Sequence, residues 1–364
     1  MRILQIINSL GTGGAEKLLL DTIPQYVASG IQMDILLLDD KKTPFYQQLE
    51  KQNCCTIYNS PKGKSVYDPR HIQGIKKYLK KYDIVHVHLF PAQYWAVVAK
   101  KISGADTRLI FTEHNTTNRR LENPLLRRID KVLYRYYTRT VCITPEIKDI
   151  LVRHTGLPGQ HFPVIKNGVD LHQIHRAEKM PKHEIHPSLS EEDTLLIQVA
   201  GFRPQKDQPT LIRAMARLPE RVKLLLVGDG VNRAECEALV ASLNLEGRVL
   251  FLGIRTDVAR LLKTADIVVL SSHYEGLSLS SIEGMASGKP FLASDVPGLQ
   301  EIVEGAGLLF PQGDDGKLAE LVGKLLADVA LYDETARKCM EKAEEYNINK
   351  MVEQHIALYQ SVYK

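Results

Sequence analysis

The sequence has no apolar run as long as a membrane span. A transmembrane helix needs ~20 predominantly apolar residues, and this chain of 364 residues, 44% hydrophobic and 25% charged, contains no such stretch. Its first residues, Met1 to Ile7, are too short in their apolar part for a signal peptide and lead directly into a strand pattern. The composition is that of a soluble globular protein, and the length favours two domains.

Cysteine is scarce, and its spacing indicates neither a metal site nor a disulfide framework. No C-x-x-C pair occurs, so we expect thiols that are buried in a reducing cytoplasm. The five cysteines are Cys54, Cys55, Cys142, Cys236 and Cys339. His86 and His88 alternate on a predicted strand without a further cluster of ligands. Neither a Ser–His–Asp set nor a group of metal-binding aspartates is evident, so we predict no acyl-enzyme route, no metal and no cofactor.

Acidic charge is scarce in the first half of the chain. Residues 1–165 contain 24 Lys and Arg against 14 Asp and Glu, a net charge of +10. Residues 166–364 contain 23 against 29, a net charge of −6. This asymmetry favours two modules with different partners.

One stretch, Ser271 to Pro290, combines the features of a binding site. It follows a buried apolar strand, Ile267 to Leu270, and the pattern predicts a loop carrying Glu275 and then a helix with Glu283 in its first turns. The start of such a helix favours a phosphate, whereas carboxylates on either side can accept hydrogen bonds from sugar hydroxyls. The stretch therefore indicates a nucleotide-sugar. A surface loop with solvated glutamates is the alternative.

Strand and helix patterns alternate along the chain in two series. Residues 172–193 lose the periodicity and are predicted to form a linker or surface excursion between the series. We predict an α/β fold with two Rossmann-like doubly wound domains that face each other across a cleft. The predicted domains are 1–165, 166–345 and a final helical segment, 346–364, that returns to the first domain.

Two features of the first series are candidate sites. The glycine-rich turn Gly11-x-Gly13-Gly14 follows the first strand, but it lacks the third glycine of the dinucleotide fingerprint, and a tight turn is the alternative reading. His114 follows the strand Arg108 to Glu113, where open sheets bind ligands. A structural role for this histidine is the alternative.

Taken together, these motifs resemble the retaining glycosyltransferases of family 4, which have the GT-B architecture. The resemblance covers nearly the whole chain and is strongest from about 164 to 305. It depends on the following motifs: Gly13-Gly14-Ala15-Glu16, Lys166-Asn167-Gly168-Val169-Asp170, Gly201-Phe202-Arg203-Pro204-Gln205-Lys206-Asp207, Val227-Gly228-Asp229-Gly230, Phe251-Leu252-Gly253-Ile254-Arg255, and the spaced pair Glu275 and Glu283.

The resemblance implies a role for each matching residue. Lys206 would contact the donor diphosphate, Glu275 the hydroxyls of the donor sugar, and Glu283 those of the ribose. His114 would lie near the sugar's primary hydroxyl. The remaining donor-binding positions would be Gly13, Gly14, Gly228, Ile254, Arg255, Gly276, Leu277, Ser278 and Leu279. The family's arginine five positions before the lysine is replaced by Gly201, and Arg203 is the candidate substitute.

The function implied is a metal-independent, retaining hexosyl transfer in cell-surface polysaccharide synthesis. The expected donor is a UDP-sugar, and the expected acceptor is a saccharide or a lipid-linked saccharide. Charge developing on the leaving diphosphate would be stabilised by Lys206 and Arg203, and the phosphate would take the acceptor's proton. A non-catalytic nucleotide-sugar binding module and a sugar-nucleotide epimerase of similar architecture are the alternatives.

The basic charge of the first half also indicates a location. Seven cations between Arg119 and Arg139 alternate with apolar and aromatic residues, and a second cluster lies between Lys76 and Tyr82. We expect reversible, peripheral contact of a cytoplasmic enzyme with the anionic inner face of the plasma membrane. A solvated basic face is the alternative, and nucleic acid is not an expected partner.

Overall fold

The chain divides into two compact units in the computed structural model, which describes residues 1–11, 13–60, 65–114 and 123–363. Unit 1 comprises Met1–Gly168 together with Ile348–Lys364, and unit 2 comprises Val169–Asn347. The predicted boundaries, 165/166 and 345/346, lie a few residues before these.

Unit 1 contains a six-stranded parallel sheet with the order β3-β2-β1-β4-β5-β6. Its strands are β1 (Arg2–Ile7), β2 (Gln32–Leu37), β3 (Ile57–Asn59), β4 (Ile84–His88), β5 (Arg108–Glu113) and β6 (Arg139–Cys142). Its first helices are α1 (Gly14–Ala28), α2 (Pro44–Gln52), α3 (His71–Leu79), α4 (Ala92–Ser103), α5 (Pro124–Leu133) and α6 (Pro145–Thr155).

Unit 2 repeats this arrangement, with the strand order β12-β11-β10-β7-β8-β9. Its strands are β7 (Thr194–Val199), β8 (Val222–Val227), β9 (Val249–Gly253), β10 (Ile267–Leu270), β11 (Phe291–Asp295) and β12 (Leu308–Pro311). Its helices are α7 (Leu171–Arg176), α8 (Lys182–Ile185), α9 (Gln208–Met215), α10 (Arg233–Ser242), α11 (Val258–Thr264), α12 (Leu279–Ala286), α13 (Gln300–Val303), α14 (Asp315–Ala327) and α15 (Val329–Ala343).

The two Rossmann-like units confirm the predicted α/β fold class. Helices cover both faces of such parallel sheets, so the central strands are buried along most of their length. In β10, for example, all four residues are buried. Side-chain caps fix where several helices begin: Thr144 accepts a hydrogen bond from the backbone N–H of Ile147, and Asp207 accepts one from that of Thr210.

The strands that sequence patterns missed, β3 and β12, are both edge strands. They have three and four residues, and each is only partly buried. A short strand with one side open to solvent does not give the continuous apolar run that identifies a central strand. The helices α2 and α3 were also not predicted.

The prediction that residues 172–193 form a linker is wrong. Leu171, Ile174, Met180, Ile185 and Leu189 are buried in the core of unit 2. The helices α7 and α8 are short, and the apolar residues between them are irregularly spaced, so the segment packs without helical periodicity. This segment is the first part of unit 2, since the chain passes into that unit at Val169.

The last helix, α16 (Ile348–Tyr363), belongs to unit 1. Its buried residues include His355 and Tyr359, whose rings pack against Tyr26 of α1 at centroid distances of 6.3 and 5.8 Å. The polypeptide therefore completes the core of unit 1 with residues from both of its ends.

Candidate functional site

The residues predicted for the donor site in unit 2 lie directly after the strands of its sheet. Gly201 to Lys206 follow β7, Gly228 follows β8, Ile254 and Arg255 follow β9, and the loop 271–278 follows β10. These strands are parallel and adjacent, so their carboxyl ends form one edge of the sheet. The predicted residues therefore share this edge.

Lys206 and Glu275 form an ion pair at this edge. The Nζ of Lys206 donates to Oε1 of Glu275, and the two side chains are only 15% and 6% exposed. Glu275 also accepts hydrogen bonds from Ser272 Oγ at 2.6 Å and from Gln205 Nε2 at 3.4 Å. The cation assigned to the diphosphate and the carboxylate assigned to the sugar therefore neutralise each other in this structure.

The loop that carries Glu275 is held from two sides. On one side, Lys206 and Ser272 form an antiparallel bridge, and the N–H of Asp207 donates to the carbonyl of Ser271 at 3.1 Å. On the other side, Gly298 has a φ of +83°, and a Cβ at this position would collide with the carbonyl oxygen of Glu275. Only glycine allows this close backbone approach without strain.

The helix α12 begins beside this loop. Its N-cap residue, Ser278, makes no side-chain cap hydrogen bond, because its hydroxyl lies 3.1 Å from that of Ser280 instead. The first-turn N–H groups and the partial positive charge of the helix are thus available to an anion. Gly276, Leu277, Ser278 and Leu279 form the segment that leads into this helix, and Glu283 is half-buried one turn further on.

Arg203 is exposed, but its side chain folds back over Gly201. A Cβ on Gly201 would lie 3.7 Å from Nε of Arg203 and 3.4 Å from the carbonyl oxygen of Asp229. The guanidinium of Arg203 therefore lies where a side chain from position 201 would begin. This placement is compatible with the substitution suggested by the sequence.

The positions after β9 present main chain and one apolar side chain. Arg255 makes two hydrogen bonds to Asp257, Nε to Oδ1 at 2.8 Å and Nη2 to Oδ2 at 2.5 Å, and the guanidinium lowers the pKa of that carboxyl. Its side chain is therefore engaged within the loop. Ile254 is 50% exposed, and the N–H of Gly228 donates to the carbonyl of Gly253 at 2.8 Å.

In unit 1, the glycine turn leads directly into α1. Gly13 is the N-cap residue, and its carbonyl accepts from the N–H of Lys17 at 3.0 Å. The carboxylate of Glu16 lies against Gly13 and complements the partial positive charge at this helix start. Gly14 is exposed, so a ligand can approach its backbone.

His114 follows β5 and contacts a histidine of the neighbouring strand. Its Nε2 lies 3.1 Å from Nδ1 of His88, and Nε2 of His88 lies 2.9 Å from Oε1 of Gln5. Burial lowers the pKa of His114 to about 4, and it lowers the pKa of His88 well below the usual range. Both imidazoles are therefore neutral at pH 7.

Sequence patterns missed the residues that hold these groups in place. Glu275 is held by Gln205, Ser272 and Gly298. His114 contacts His88, which is in turn hydrogen-bonded to Gln5. One available signal was the alternation of His86 and His88 on a strand otherwise apolar, because buried polar side chains need partners. The Pro297-Gly298 pair was another, since it marks a turn of defined geometry.

Comparison with known proteins identifies the class of protein. Residues 12–173 match the family model for Glycosyltransferase Family 4, and residues 181–346 match that for Glycosyl transferases group 1. The chain is a glycosyltransferase. The two matched segments correspond closely to the two Rossmann-like units.

Among its relatives, the glycosyltransferase is 29% identical over 290 residues to N-acetyl-alpha-D-glucosaminyl L-malate synthase of Bacillus anthracis, covering 77% of this chain and 75% of that protein. It is 26% identical over 312 residues to UDP-Gal:alpha-D-GlcNAc-diphosphoundecaprenol alpha-1,3-galactosyltransferase of Escherichia coli, covering 81% and 80%.

The crystal structure of Anabaena HepE in complex with UDP and glucose superposes on the glycosyltransferase with a TM-score of 0.85 at 23% identity, covering 99% of this chain and 100% of that one. This likeness confirms the GT-B fold. Within the described ranges, none of the helices has the length and apolar character needed to cross a membrane.

Proposed function

We propose that this glycosyltransferase moves a hexose from a UDP-sugar to a lipid-linked saccharide, with retention of anomeric configuration and without a metal ion. The observation that carries the proposal is the ion pair of Lys206 and Glu275 beside the start of α12. It combines a cation for a diphosphate, a carboxylate for sugar hydroxyls and a helix start for phosphate oxygens. Two similar proteins support the donor: the HepE structure is a complex with UDP and glucose, and the name of the Escherichia coli enzyme specifies UDP-Gal.

The donor would exchange the partners of this ion pair. A diphosphate attracts Lys206 more strongly than one carboxylate does, because it carries more charge and presents several acceptor oxygens. Glu275 would then lose its cation in a mostly buried position, which is costly unless new hydrogen bonds replace it. Hydroxyl groups of the donor sugar supply those hydrogen bonds. A nucleotide diphosphate without its sugar leaves Glu275 uncompensated.

The transfer step needs stabilisation of the leaving group above all. The bond from the anomeric carbon to the β-phosphate oxygen breaks, a bond from that carbon to the acceptor oxygen forms, and the acceptor's proton passes to the leaving phosphate. Negative charge develops on the diphosphate, towards which Lys206, Arg203 and the first N–H groups of α12 would be directed. Each preorganised hydrogen-bond donor of this kind lowers the activation barrier by about 3–4 kcal/mol.

A donor screen tests the proposal. UDP-, GDP- and ADP-sugars are compared by thermal shift, and each one that binds is then assayed for release of the nucleotide diphosphate with and without undecaprenyl diphosphate-linked N-acetylglucosamine. We expect stabilisation by a UDP-hexose and release that depends on the acceptor. Proton NMR of the product should show the anomeric configuration of the donor, and chelation with EDTA should leave the rate unchanged.

Each other outcome contradicts a stated part of the proposal. Binding without release indicates a non-catalytic binding module. Release or isomerisation of the donor that is independent of acceptor indicates a hydrolase or an epimerase. An inverted product contradicts retention, and loss of activity in EDTA that is restored by a divalent cation contradicts metal independence.

The acceptor proposal also concerns the surface of α5. Arg127, Arg128 and Lys131 are exposed on this helix, and Ile129 and Val132 are exposed among them, by 38% and 52%. These five positions form one continuous face at 3.6 residues per turn. The α-helix ends at Leu133. Of the predicted basic segment, Arg119, Arg120 and Glu122 lie outside the described residues.

This mixed face would contact an anionic bilayer. Cations near such a surface contribute about 1 kcal/mol each, and exposed apolar side chains can enter the interface. The Escherichia coli relative, whose name specifies a diphosphoundecaprenol-linked sugar, acts on a lipid-linked substrate. A lipid-linked acceptor in the membrane therefore agrees with a peripheral contact between this face of α5 and the bilayer.

Co-sedimentation with vesicles tests the contact. We expect binding to phosphatidylglycerol vesicles that weakens as salt rises, and no binding to phosphatidylcholine vesicles. Arg127→Glu, Arg128→Glu and Lys131→Glu together should abolish it without changing the thermal shift by the donor. The control is reversal of Arg337 and Lys338, which are exposed cations on α15. Equal binding to both kinds of vesicle would overturn the membrane proposal.

A further inference from the structure

A continuous series of hydrogen bonds connects the interior of unit 1 to His114. Nε2 of Gln5 lies 3.5 Å from Sδ of Met33, and Oε1 of Gln5 lies 2.9 Å from Nε2 of His88. Nδ1 of His88 lies 3.1 Å from Nε2 of His114. Four different elements contribute to this series, since Met33 lies in β2, Gln5 in β1 and His88 in β4, and His114 follows β5.

The imidazoles in this series are neutral, and the cavity beside His88 is small. Burial lowers the pKa of His88 well below the usual range and that of His114 to about 4, with neighbouring histidines adding to the effect. The cavity beside Gln5, His86 and His88 has a volume of about 10 Å³, which is room for at most one water molecule. Water therefore has little room to replace the partners of His88.

A neutral imidazole donates from one nitrogen and accepts at the other, so the series has only two self-consistent directions. Met33 decides between them. A thioether sulfur carries no hydrogen and can only accept, so the amide group facing it must be the NH₂ group of Gln5. Gln5 then offers Oε1 to His88, and the proton between them belongs to Nε2 of His88.

The same direction continues to His114. Because Nε2 of His88 donates, its Nδ1 has a lone pair and accepts from Nε2–H of His114. Nδ1 of His114 is then an acceptor, and within the described ranges it has no hydrogen-bond partner. A second branch agrees with this direction: Gln5 Nε2 donates to Tyr359 Oη at 3.3 Å, and that hydroxyl lies 2.7 Å from Nδ1 of His86.

We propose that Gln5 and His88 are positioning residues that hold His114 as its Nε2–H tautomer, so that Nδ1 is the atom that accepts a hydrogen bond from a sugar hydroxyl. In the opposite tautomer, Nδ1–H would meet the same hydroxyl as a donor and would require a different orientation of it. The inference rests on the proposed function for the identity of the ligand as a sugar. The tautomer itself is a property of the protein without ligand.

The tautomer is measured directly in the ligand-free protein. Two-bond ¹H–¹⁵N correlation spectra of protein labelled with ¹⁵N-histidine distinguish a protonated Nδ1 from a protonated Nε2. We expect Nε2–H for both His88 and His114. Gln5→Leu, which removes the acceptor for His88, should give a mixture at both rings, and Gln5→Glu, which keeps an oxygen there, should restore the wild-type pattern.

Two further variants keep the test decisive. Met33→Leu retains Gln5 and the core volume but removes the sulfur that orients the amide, so it should also give mixed tautomers even if Gln5→Leu does not fold. Thr107→Val is the matched control. Its buried hydroxyl donates to the carbonyl of Tyr82 at 3.0 Å, apart from both branches, so His88 and His114 should keep their spectra.

Kinetics then test the contact with the sugar. Gln5→Leu should raise KM about 2- to 10-fold for whichever of UDP-glucose, UDP-galactose and UDP-N-acetylglucosamine the wild type uses, which is the size of one hydrogen bond. The KM for UDP-xylose, which lacks the primary hydroxyl, should not change. In the His114→Ala background, Gln5→Leu should have no additional effect.

The failure of this inference and that of the proposed function are distinguishable. A wild-type spectrum with the proton on Nδ1 of His114, or one unaffected by both Gln5→Leu and Met33→Leu, overturns the inference whatever the activity. Equal effects on UDP-hexose and UDP-xylose overturn the sugar contact. If wild-type protein uses no nucleotide-sugar, the proposed function fails, and the spectra still decide whether the tautomer is held.

Discussion

The two units have the same strand order but opposite polar chemistry at the carboxyl ends of their strands. Unit 1 contains neutral rings connected by hydrogen bonds, as between His88 and His114. Unit 2 contains a paired cation and carboxylate, Lys206 and Glu275. One Rossmann-like framework thus carries neutral hydrogen-bonding rings in one unit and an ion pair in the other, so the chemistry of each unit depends on the residues that follow its strands.

The histidines show the same contrast. Seven of the 12 belong to unit 1, and His71, His86, His88, His154 and His355 are buried there. The five histidines of unit 2 are exposed or half-buried. Changes of pH should therefore act mainly on unit 1, whereas changes of phosphate ligands should act mainly on unit 2. Four predictions test this division.

Acidification should give the largest effect, a loss of stability in unit 1. Burial lowers the pKa of His355 to about 4, whereas an unfolded histidine titrates near 6.5. The unfolded state therefore binds more protons between these values, so stability is constant above about pH 6.5 and falls as pH decreases towards 4. At pH 5 His355 alone should cost about 2 kcal/mol, and His86, His88 and His114 shift in the same direction.

Urea unfolding at pH 7 and pH 5, followed by tryptophan fluorescence, measures this effect. Trp95 is the single tryptophan and lies in unit 1, so the signal reports on that unit. His355→Gln should reduce the pH dependence, and His183→Gln, an exposed position of unit 2, should not. An equal loss of stability between pH 7 and pH 5 in all three proteins would contradict the assignment of the effect to His355.

Replacement of the buried cation of unit 2 should have the next largest effect. Lys206→Ala should lower turnover at least ~100-fold, because a preorganised contact to the leaving diphosphate is lost, while the circular dichroism spectrum stays native. The matched control is Lys338→Ala, which removes an exposed ion pair with Glu334 on α15 and should leave turnover unchanged. Near-normal turnover of Lys206→Ala would refute the leaving-group argument.

The two glutamates should act on different halves of the donor. Glu283→Gln should weaken UDP binding by ~1–3 kcal/mol if a hydrogen bond to a charged group is lost. Glu275→Gln should reduce turnover, yet leave the affinity for UDP unchanged or tighter, because Lys206 is released from its partner. Isothermal titration with UDP separates them. Equal weakening by both substitutions would show that they share one part of the ligand.

Replacement of Arg203 should have the smallest effect on turnover. This residue is exposed, so Arg203→Ala should lower turnover less than ~10-fold, since solvent screens an exposed charge. Adding Gly201→Arg to that variant should restore the rate, because the contacts of a Cβ at position 201 are no closer than 3.4 Å. A double variant slower than Arg203→Ala would show that position 201 does not direct a side chain to the phosphates.

Sequence patterns predicted the central strands and the order of the motifs because these depend on local periodicity. The apolar run Ile267 to Leu270 and the helix that contains Glu283 could be placed from the residues alone. The segment 172–193 could not, because its burial depends on irregularly spaced side chains that meet helices elsewhere in unit 2. The edge strands β3 and β12 were missed because they are short and only partly buried, so they lack the continuous apolar run of a central strand.

The candidate site was predicted as a set of residues but not as a set of contacts. The pairing of Lys206 with Glu275 requires the loop after β10 to lie beside the segment after β7, which only the strand order specifies. The direction of the Gln5–His88–His114 series requires Met33 from a fourth element. Roles assigned to single residues can thus come from motifs, whereas the partners that set their charge or tautomer come from tertiary structure.

The position of α16 in unit 1 has a consequence for biosynthesis. Tyr359 contacts Gln5 and His86, but unit 2, Val169–Asn347, is synthesised between them. At ~5–20 residues per second, translation of that unit takes roughly 10 to 40 s. During this interval the polar interior of unit 1 lacks its last helix, so unit 2 can complete its own core first, although it comes later in the chain.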